Sequence, residues 1–280
     1  MTLPIVQHRA LASRAHGPGF RTVSVRSDAS FDTDPFLNVD FFRMSEPTFP
    51  PHPHAGFSAV TYLLPESEGA FRNRDSLGDT SRIGPGAIHW TQAGAGMMHE
   101  EIPEVPGVEG VGFQIFVNLP AAKKGIAPRA FHADAADVPR IVGPEGGAAR
   151  VVAGTFGDTA GALGAELALS VDLLDLTLDR GQALEIPITA RRRAFLFVVS
   201  GDAKVGARTL AANEVVLFAD GPGTVRIEAE SPLRAVLFAG EPLRQPVFWH
   251  GPFSMTDERE ARAAVERFRR GEMGHLAPSF

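Results

Sequence analysis

Proline and glycine recur at short intervals along most of this sequence, and their spacing limits the length of any helix or strand. The 280 residues include 29 Gly and 22 Pro. Between them lie short runs rich in Val, Ile, Leu, Phe and Thr, a composition that favours strands. The clearest runs are Ser58–Leu64, Gly112–Val117, Ala194–Val199, Val215–Phe218, Thr224–Ala229 and Arg234–Phe238. The pattern predicts an all-β fold of the sandwich or barrel kind.

The strand-like runs fall into two clusters, which indicates two β-domains. One cluster covers roughly residues 22–119 and the other roughly residues 167–242. The stretch between them is rich in Pro, Gly and Ala and is interpreted as a partly irregular connector. We therefore predict an N-terminal domain over residues 1–135 and a C-terminal domain over residues 136–280.

One helix is predicted near the end of the chain, over about residues 257–270. Thr256 can cap it, acidic side chains follow in its first turn, and arginines followed by a glycine mark its end. Ala261, Val265 and Phe268 recur at helical spacing and form one apolar stripe. The stripe predicts a packing role for this helix.

Composition excludes several classes of function. The chain has no Cys, which rules out disulfides, Cys-ligated zinc or iron–sulfur sites and a thiol nucleophile. Its net charge of −6 and lack of a long basic run argue against a nucleic-acid or anionic-membrane partner. The first residues lack the apolar core of a secretory signal, and no run has the length of a membrane span. These features predict a soluble, cytoplasmic protein.

Two pairs of potential metal ligands stand out among the nine histidines. His52 and His54 are two positions apart, and so are His99 and Glu101. Side chains at i and i+2 of a strand point to the same face, so each pair offers two ligands on one side. If the two faces meet inside a barrel, they form a cage of three imidazoles and one carboxylate. Such a set suits Fe(II), Mn, Co, Ni, Cu or Zn.

The ligand set leaves two kinds of site open. A six-coordinate ion held by four protein ligands retains free positions for water, dioxygen or a chelating substrate. A tetrahedral zinc ion with the same four ligands is closed and structural. The residues alone do not choose between an enzyme and a scaffold.

Other polar residues near these pairs receive separate interpretations. Glu100 has the opposite strand parity and is expected to be a solvated charge. His89 is either a pocket acid/base or alternative ligand, or a partly buried polar residue on the next strand, and the second interpretation is favoured. Gln114 is a candidate to orient a metal-bound water. His132 and Asp134 are also two apart, but they lie in the predicted connector without a second pair.

The order and spacing of several motifs resemble the pirin family. The resemblance spans nearly the whole chain. The matching residues are Asp34–Arg43, Phe49–Phe57, Thr61–Leu64, Arg74–Gly78, Gly84–Gly86, Trp90, Ala93–Gly96, His99–Glu101, Val117–Pro120 and His250–Phe253.

This resemblance implies two cupin β-barrel domains that face each other, with one mononuclear metal in the N-terminal barrel, usually iron. The family's ligand pattern falls on His52, His54, His99 and Glu101. The C-terminal cupin domain is expected to lack metal ligands, since no His occurs between residues 167 and 242.

The sequence also departs from the usual family pattern around these ligands. Ala55 and Ser58 replace a common Arg and Glu, Asn73 replaces a common His, and His89 stands where Gln is common. The ligands themselves are retained. The departures therefore leave metal binding intact and bear on the substrate.

Family resemblance implies two main hypotheses for function. The first is an Fe(II)-dependent dioxygenase that acts on a flavonol-like substrate such as quercetin with dioxygen, and in which Glu101 also serves as a base. The alternative is a non-catalytic protein that senses metal or redox state and acts through protein partners. A weaker third possibility is a zinc-dependent hydrolase.

Overall fold

The computed structural model of the chain describes all 280 residues and contains 26 strands and one α-helix. The first twelve strands are β1 (Ile5–Ala10), β2 (Arg14–Ala15), β3 (Phe20–Arg26), β4 (Phe36–Met44), β5 (His52–His54), β6 (Phe57–Leu63), β7 (Phe71–Asp75), β8 (Arg82–Ile83), β9 (Ile88–Gln92), β10 (Met97–Pro103), β11 (Gly110–Asn118) and β12 (Arg129–Ala133). The others are β13 (Arg140–Val142), β14 (Ala148–Ala153), β15 (Thr155–Phe156), β16 (Thr159–Ala160), β17 (Val171–Leu178), β18 (Ala183–Ile188), β19 (Arg193–Ser200), β20 (Ala203–Val205), β21 (Arg208–Leu210), β22 (Glu214–Phe218), β23 (Gly223–Ala229), β24 (Leu233–Gly240), β25 (Phe248–His250) and β26 (Phe253–Met255). The helix α1 covers Glu258–Arg269, and short 3-10 turns cover Ala121–Lys123 and Ala135–Asp137. The predicted all-β class is confirmed.

The chain forms two compact units, each assembled from separate segments. We call them the apolar unit and the histidine unit, after their interiors. The apolar unit comprises Met1–Ala12, Arg26–Pro35 and Ala136–Pro242. The histidine unit comprises Ser13–Val25, Phe36–Ala135 and Leu243–Phe280.

These units differ at both ends from the expected continuous domains 1–135 and 136–280. One observed junction does fall between Ala135 and Ala136. Strand β1 pairs with β22, however, and this pairing assigns the first residues to the apolar unit. At the other end, Ala55 bridges to Phe253, which brings the last segment to the histidine unit. Long-range pairings of this kind leave no local signal in the sequence.

The histidine unit contains two antiparallel sheets and a hairpin. The larger sheet has the order β12-β9-β6-β11-β4-β3-β2, and the smaller has the order β5-β10-β7-β8. One apolar cluster of this unit includes Phe42, Leu63 and Phe71, all buried. A second cluster joins Ala55 to α1 and to the β25–β26 hairpin. The polar candidate residues lie on strands of these two sheets.

The apolar unit repeats this plan with a different interior. Its sheets have the orders β1-β22-β19-β24-β17-β14-β13 and β18-β23-β20-β21. Buried Leu, Ile, Val, Ala and Phe side chains form its core cluster, with Leu196 and Leu237 fully buried. Strands β13 to β16 belong to the region predicted as a partly irregular connector, which is therefore more regular than expected.

The N-cap of helix α1 lies one residue later than predicted. Asp257 is the N-cap, and its carboxylate accepts a hydrogen bond from the backbone N–H of Glu260 at 2.8 Å. Thr256 instead contacts the Glu260 carboxylate. Ala261 is buried on the packed face, as predicted, while Phe268 is 40% exposed. No helix in the chain is both long enough and apolar enough to cross a membrane.

Candidate metal centre

Antiparallel pairing of β5 with β10 brings three of the predicted ligands together. His52 lies opposite His99, and His54 lies opposite Met97. Residues directly opposite each other share a face, and residues two apart on one strand do as well. His52, His54 and His99 therefore point to the same side of the smaller sheet. These three imidazoles are grouped as their strand spacing predicted.

The nitrogen atoms of the three rings converge. Nε2 of His52 lies 3.2 Å from Nε2 of His54 and 3.1 Å from Nε2 of His99. One ligand atom from each residue lies within 4.8 Å of the other two, and His54 and His99 are buried. This is the only group of three or more His, Asp or Glu side chains in the chain that is arranged to hold a metal ion.

The electrostatics of the three histidines favour a cation between them. Burial lowers the pKa of His54 to about 3, and it also lowers the pKa values of His52 and His99. The rings are therefore neutral at pH 7, each with one lone pair. Nδ1–H of His52 donates to the carbonyl oxygen of Pro50 at 2.9 Å, so the lone pair of His52 is on Nε2. A cation between the three rings would be bound by a lone pair from each neutral imidazole, and the site fits a divalent metal ion.

Glu101, the fourth predicted ligand, lies next to this cluster but outside the three-histidine group. Its Oε1 is 4.0 Å from Nδ1 of His99, and its Oε2 accepts a hydrogen bond from the Thr61 hydroxyl. The side chain is 8% exposed, and burial raises its pKa to about 7. A cation beside it would lower that pKa. The role of Glu101 as a ligand stays a prediction.

Comparison with known proteins identifies the family of the chain. The Pirin family profile matches residues 20–117, and the profile of the Pirin C-terminal cupin domain matches residues 173–274. A pirin-like protein from Caulobacter vibrioides is 39% identical over 246 residues, which is 85% of this chain and 87% of that protein. The chain belongs to the pirin family.

Two further relatives support the assignment. Human pirin is 33% identical over 254 residues, covering 86% of this chain and 83% of its own. The crystal structure of a quercetin 2,3-dioxygenase from Acinetobacter baumannii superimposes with a TM-score of 0.86 at 26% identity, covering 98% of this chain and 99% of the other. The fold is therefore that of a pirin with two cupin domains.

Glu100 does not have the solvated environment expected from the sequence. It does lie on the opposite face from His99 and Glu101, as parity predicts. The side chain is nevertheless 0% exposed and forms an ion pair with Arg74 at 2.5 Å. The Ser279 hydroxyl donates to the same carboxylate oxygen at 2.6 Å. The expectation was wrong because a distant segment covers this face.

His89 is more deeply buried than predicted. It is 0% exposed, and it lies opposite Thr61 on β6 and opposite His132 on β12. Neither of its ring nitrogens has a hydrogen-bond partner, and burial lowers its pKa to about 4. His89 is not in the three-histidine group. The structure thus leaves its role as an alternative ligand unsupported.

A row of polar side chains crosses the larger sheet from His132 through His89 and Thr61 to Gln114. Each member lies directly opposite the next, so all four share one face. Gln114 Oε1 is 3.1 Å from Oγ1 of Thr61, whose hydroxyl contacts Glu101. Gln114 is therefore linked to Glu101 through Thr61, and its role in orienting a metal-bound water stays a prediction. Thr61 belongs to one of the motifs that resemble the pirin family, but its link to Glu101 depends on strand pairing that the sequence does not reveal.

Aromatic rings lie beside two members of the histidine cluster, His52 and His54, and no periodic pattern in the sequence predicted them. The His54 ring lies 4.9 Å from Phe57 and 5.6 Å from Phe116, centroid to centroid. Trp249 lies 5.4 Å from Phe57 and is 43% exposed. Phe49 lies 6.2 Å from the partly exposed His52 and is itself 43% exposed. Aromatic surface therefore lies beside the most accessible ligand.

Lys124 holds the turn that follows the His-x-His strand. The side chain is buried, and its ammonium donates to the carbonyl oxygens of Gly56 and Ser254 and to Oδ1 of Asn118, at 2.6–2.9 Å. Burial lowers its pKa to about 8. Gly56 has φ +84°, and a Cβ there would lie 2.0 Å from the Ser254 carbonyl oxygen. Only glycine fits this approach.

Proposed function

We propose that this pirin-family protein binds one mononuclear divalent metal, Fe(II) by preference, and catalyses the dioxygenation of a flavonol-like substrate such as quercetin. The ligands in this proposal are His52, His54, His99 and Glu101. The observation that carries it is the convergence of three neutral imidazoles, in which Nε2 of His52 lies 3.2 Å from Nε2 of His54 and 3.1 Å from Nε2 of His99. The similarity to the quercetin 2,3-dioxygenase of Acinetobacter baumannii supports the choice of reaction.

The proposed metal site is open rather than closed. The donor set of three imidazoles and one carboxylate also accommodates Ni, Mn, Co, Cu or Zn. When bound, the metal supplies a Lewis acid and a template for a chelating substrate and dioxygen. His52 is only partly buried, which supports access to the ion from that side.

Glu101 supplies the proton chemistry in this proposal. A flavonol binds best to a cation after its 3-hydroxyl loses a proton, and a base must accept that proton. Burial raises the pKa of Glu101 to about 7 in the metal-free protein, and a bound cation would lower it again, so that the carboxylate is ionised and able to accept a proton at neutral pH. The Thr61 hydroxyl holds Oε2, while Oε1 faces His99 at 4.0 Å and is the candidate acceptor atom.

Aromatic side chains orient the substrate in this proposal. Phe49 and Trp249 are each 43% exposed and lie beside rings of the histidine cluster or rings that contact it. Flat aromatic ligands gain stabilisation from edge-to-face or offset-stacked contacts with such rings. Phe57, which is buried, and Phe116, which is partly buried, lie next to His54 and limit the access of water from that side.

Oxygen uptake by the iron-loaded protein in the presence of quercetin tests the proposal. We expect oxygen consumption that requires iron and that is lost in His52→Ala, whereas His8→Ala in the apolar unit retains it. Activity that survives unchanged in His52→Ala would contradict the proposal. Stoichiometric iron binding without oxygen uptake would instead favour the non-catalytic, metal-sensing alternative.

A further inference from the structure

A segment far along the chain, residues 273–279, lies against the strands that carry the proposed ligands. We call it the tail segment. The Ser76 hydroxyl donates to the carbonyl oxygen of Met273 at 2.8 Å, and Nη2 of Arg74 donates to the carbonyl oxygen of Ala277 at 2.9 Å. Ser279 reaches Glu100 on β10. The tail segment therefore contacts β7, the residue that follows it, and β10.

Glu100 is the point where these contacts meet. Its Oε2 accepts hydrogen bonds from Nη2 and Nε of Arg74 at 2.5 and 3.2 Å and from the Ser279 hydroxyl at 2.6 Å. Its Oε1 accepts a longer bond, 3.4 Å, from the backbone N–H of Ser279. The carboxylate is 0% exposed, so these donors replace the water that it loses.

Ser76 ties the tail segment to β10 at a second point. Its backbone N–H donates to the carbonyl oxygen of Met98 at 2.9 Å, and the backbone N–H of Met98 donates to the Ser76 hydroxyl at 3.0 Å. That same hydroxyl donates to Met273. Met98 and Glu100 flank His99. The face of β10 that carries the Glu100 side chain, opposite to the face of His99 and Glu101, is called the outer face. Contacts with Ser76 and the tail segment therefore hold the backbone on both sides of His99 from the outer face.

Two glycines, Gly96 and Gly274, allow close packing around the tail segment. A Cβ at Gly96 would lie 2.5 Å from the Sδ and Cε atoms of Met273, and a Cβ at Gly274 would lie 2.5 Å from Cβ of Ser76. Both glycines also have positive φ, +132° and +81°. The fit between the tail segment and the outer face is therefore close at more than one place.

We propose that Glu100, held by Arg74 and Ser279, is a positioning residue for the metal centre. The tail segment holds the backbone of β10 from the outer face. It thereby holds in position the side chains of His99 and Glu101, the proposed ligands, on the opposite face. Groups that hold metal ligands in place commonly change metal affinity by about 10- to 100-fold when they are removed. The inference rests on the metal-binding part of the proposed function and not on its chemistry.

Nickel binding tests this inference, with Ni(II) as the probe and the full-length chain throughout. We expect Glu100→Gln to accelerate Ni(II) release to a chelator by about tenfold. Ser279→Ala removes one donor to Glu100, and we expect it to accelerate Ni(II) release about threefold. Ser279→Thr keeps the hydroxyl and should release Ni(II) at the wild-type rate. The visible spectrum of the Co(II)-loaded protein should change in Glu100→Gln, because the ligand geometry changes.

Glu104→Gln is the matched control. Glu104 follows β10 and pairs with Arg72 and Arg82, away from the tail segment. We expect this substitution to leave Ni(II) release and the Co(II) spectrum unchanged. This should hold even if urea unfolding shows that Glu104→Gln and Glu100→Gln lower the stability of the metal-free protein by similar amounts. Equal effects of Glu104→Gln and Glu100→Gln, or no effect of Glu100→Gln and Ser279→Ala, would overturn the inference. A wild-type protein that binds no Ni(II) would instead contradict the proposed function.

Discussion

Nε2 of His52 and Nε2 of His99 lie 3.1 Å apart, although 47 positions separate the two residues in the chain. The register of β5 with β10 produces this contact by setting the two residues directly opposite each other. Both rings are kept neutral by burial, which lowers their pKa values. Nitrogen atoms of two neutral imidazoles this close, with that of His54 beside them, form a site that favours a cation.

Loss of one imidazole should abolish tight metal binding. We expect His99→Ala to weaken Ni(II) affinity by more than about 100-fold, because a lost ligand costs more than a lost outer partner. Isothermal titration calorimetry measures the change. His250→Ala is the control, since His250 is exposed on β25 and lies outside the three-histidine group. Comparable losses in both variants would argue against the site.

His89 should make the stability of the metal-free protein depend on pH. Its pKa is about 4 in the folded protein, against an ordinary value of 6.5. Between these values the unfolded chain binds the proton and the folded protein does not, so stability falls as pH falls from 6.5 to 4. The shift corresponds to at most about 3 kcal/mol.

Urea unfolding at several pH values, with a chelator present, measures this dependence. We expect His89→Gln to flatten the stability profile between pH 4 and 6.5 relative to the wild type. His275→Gln, at an exposed position, provides the control. A profile for His89→Gln that parallels the wild type would show that His89 is not the group responsible.

Lys124 should be essential for the turn beside the His-x-His strand. Lys124→Met removes the donor to the Gly56 and Ser254 carbonyl oxygens and to Asn118, and leaves three acceptors without it. Each buried acceptor that loses its partner costs about 1–3 kcal/mol, so we expect a loss of several kcal/mol in the free energy of unfolding. Urea unfolding of Lys124→Met and of the exposed neighbour variant Lys123→Met provides the comparison. Similar stabilities would contradict this role.

Trp249 should affect substrate binding more than metal binding. In the proposed function, Trp249→Ala removes one aromatic contact of about 0.5–1.5 kcal/mol, which corresponds to a rise in KM for quercetin of up to about tenfold. Metal content should not change. Steady-state kinetics and metal analysis together measure this, with Phe248→Ala on the same hairpin as the control. An effect on metal content alone would assign Trp249 to the metal centre instead.

The sequence predicted those parts of the centre that depend on local periodicity. A strand repeats every two residues, so the face shared by His52 and His54 follows from their spacing alone. The face of Glu100 was also predictable, but its burial was not, because its partner Ser279 lies 179 positions away. The burial of His89 likewise depends on its cross-strand neighbours Thr61 and His132, whose register no local pattern specifies.

The division of the chain into two units could not be predicted either, because it depends on pairings between residues that are far apart in the sequence. The runs of strand-forming residues marked the two β-rich clusters, and the terminal helix lay within one residue of its predicted bounds. Nothing near Ile5 indicates its pairing with Phe218, and nothing near Phe253 indicates its bridge to Ala55. Such pairings are set by the packing of the whole unit and not by its segments.

Elemental analysis of protein purified without added metal tests whether the three histidines hold a metal ion. The wild type and a variant with His52, His54 and His99 all changed to Ala should be compared in parallel, with folding checked by circular dichroism. We expect close to one equivalent of a divalent transition metal, chiefly iron, in the wild type and almost none in the folded variant. An equal metal content in the two proteins would contradict this expectation.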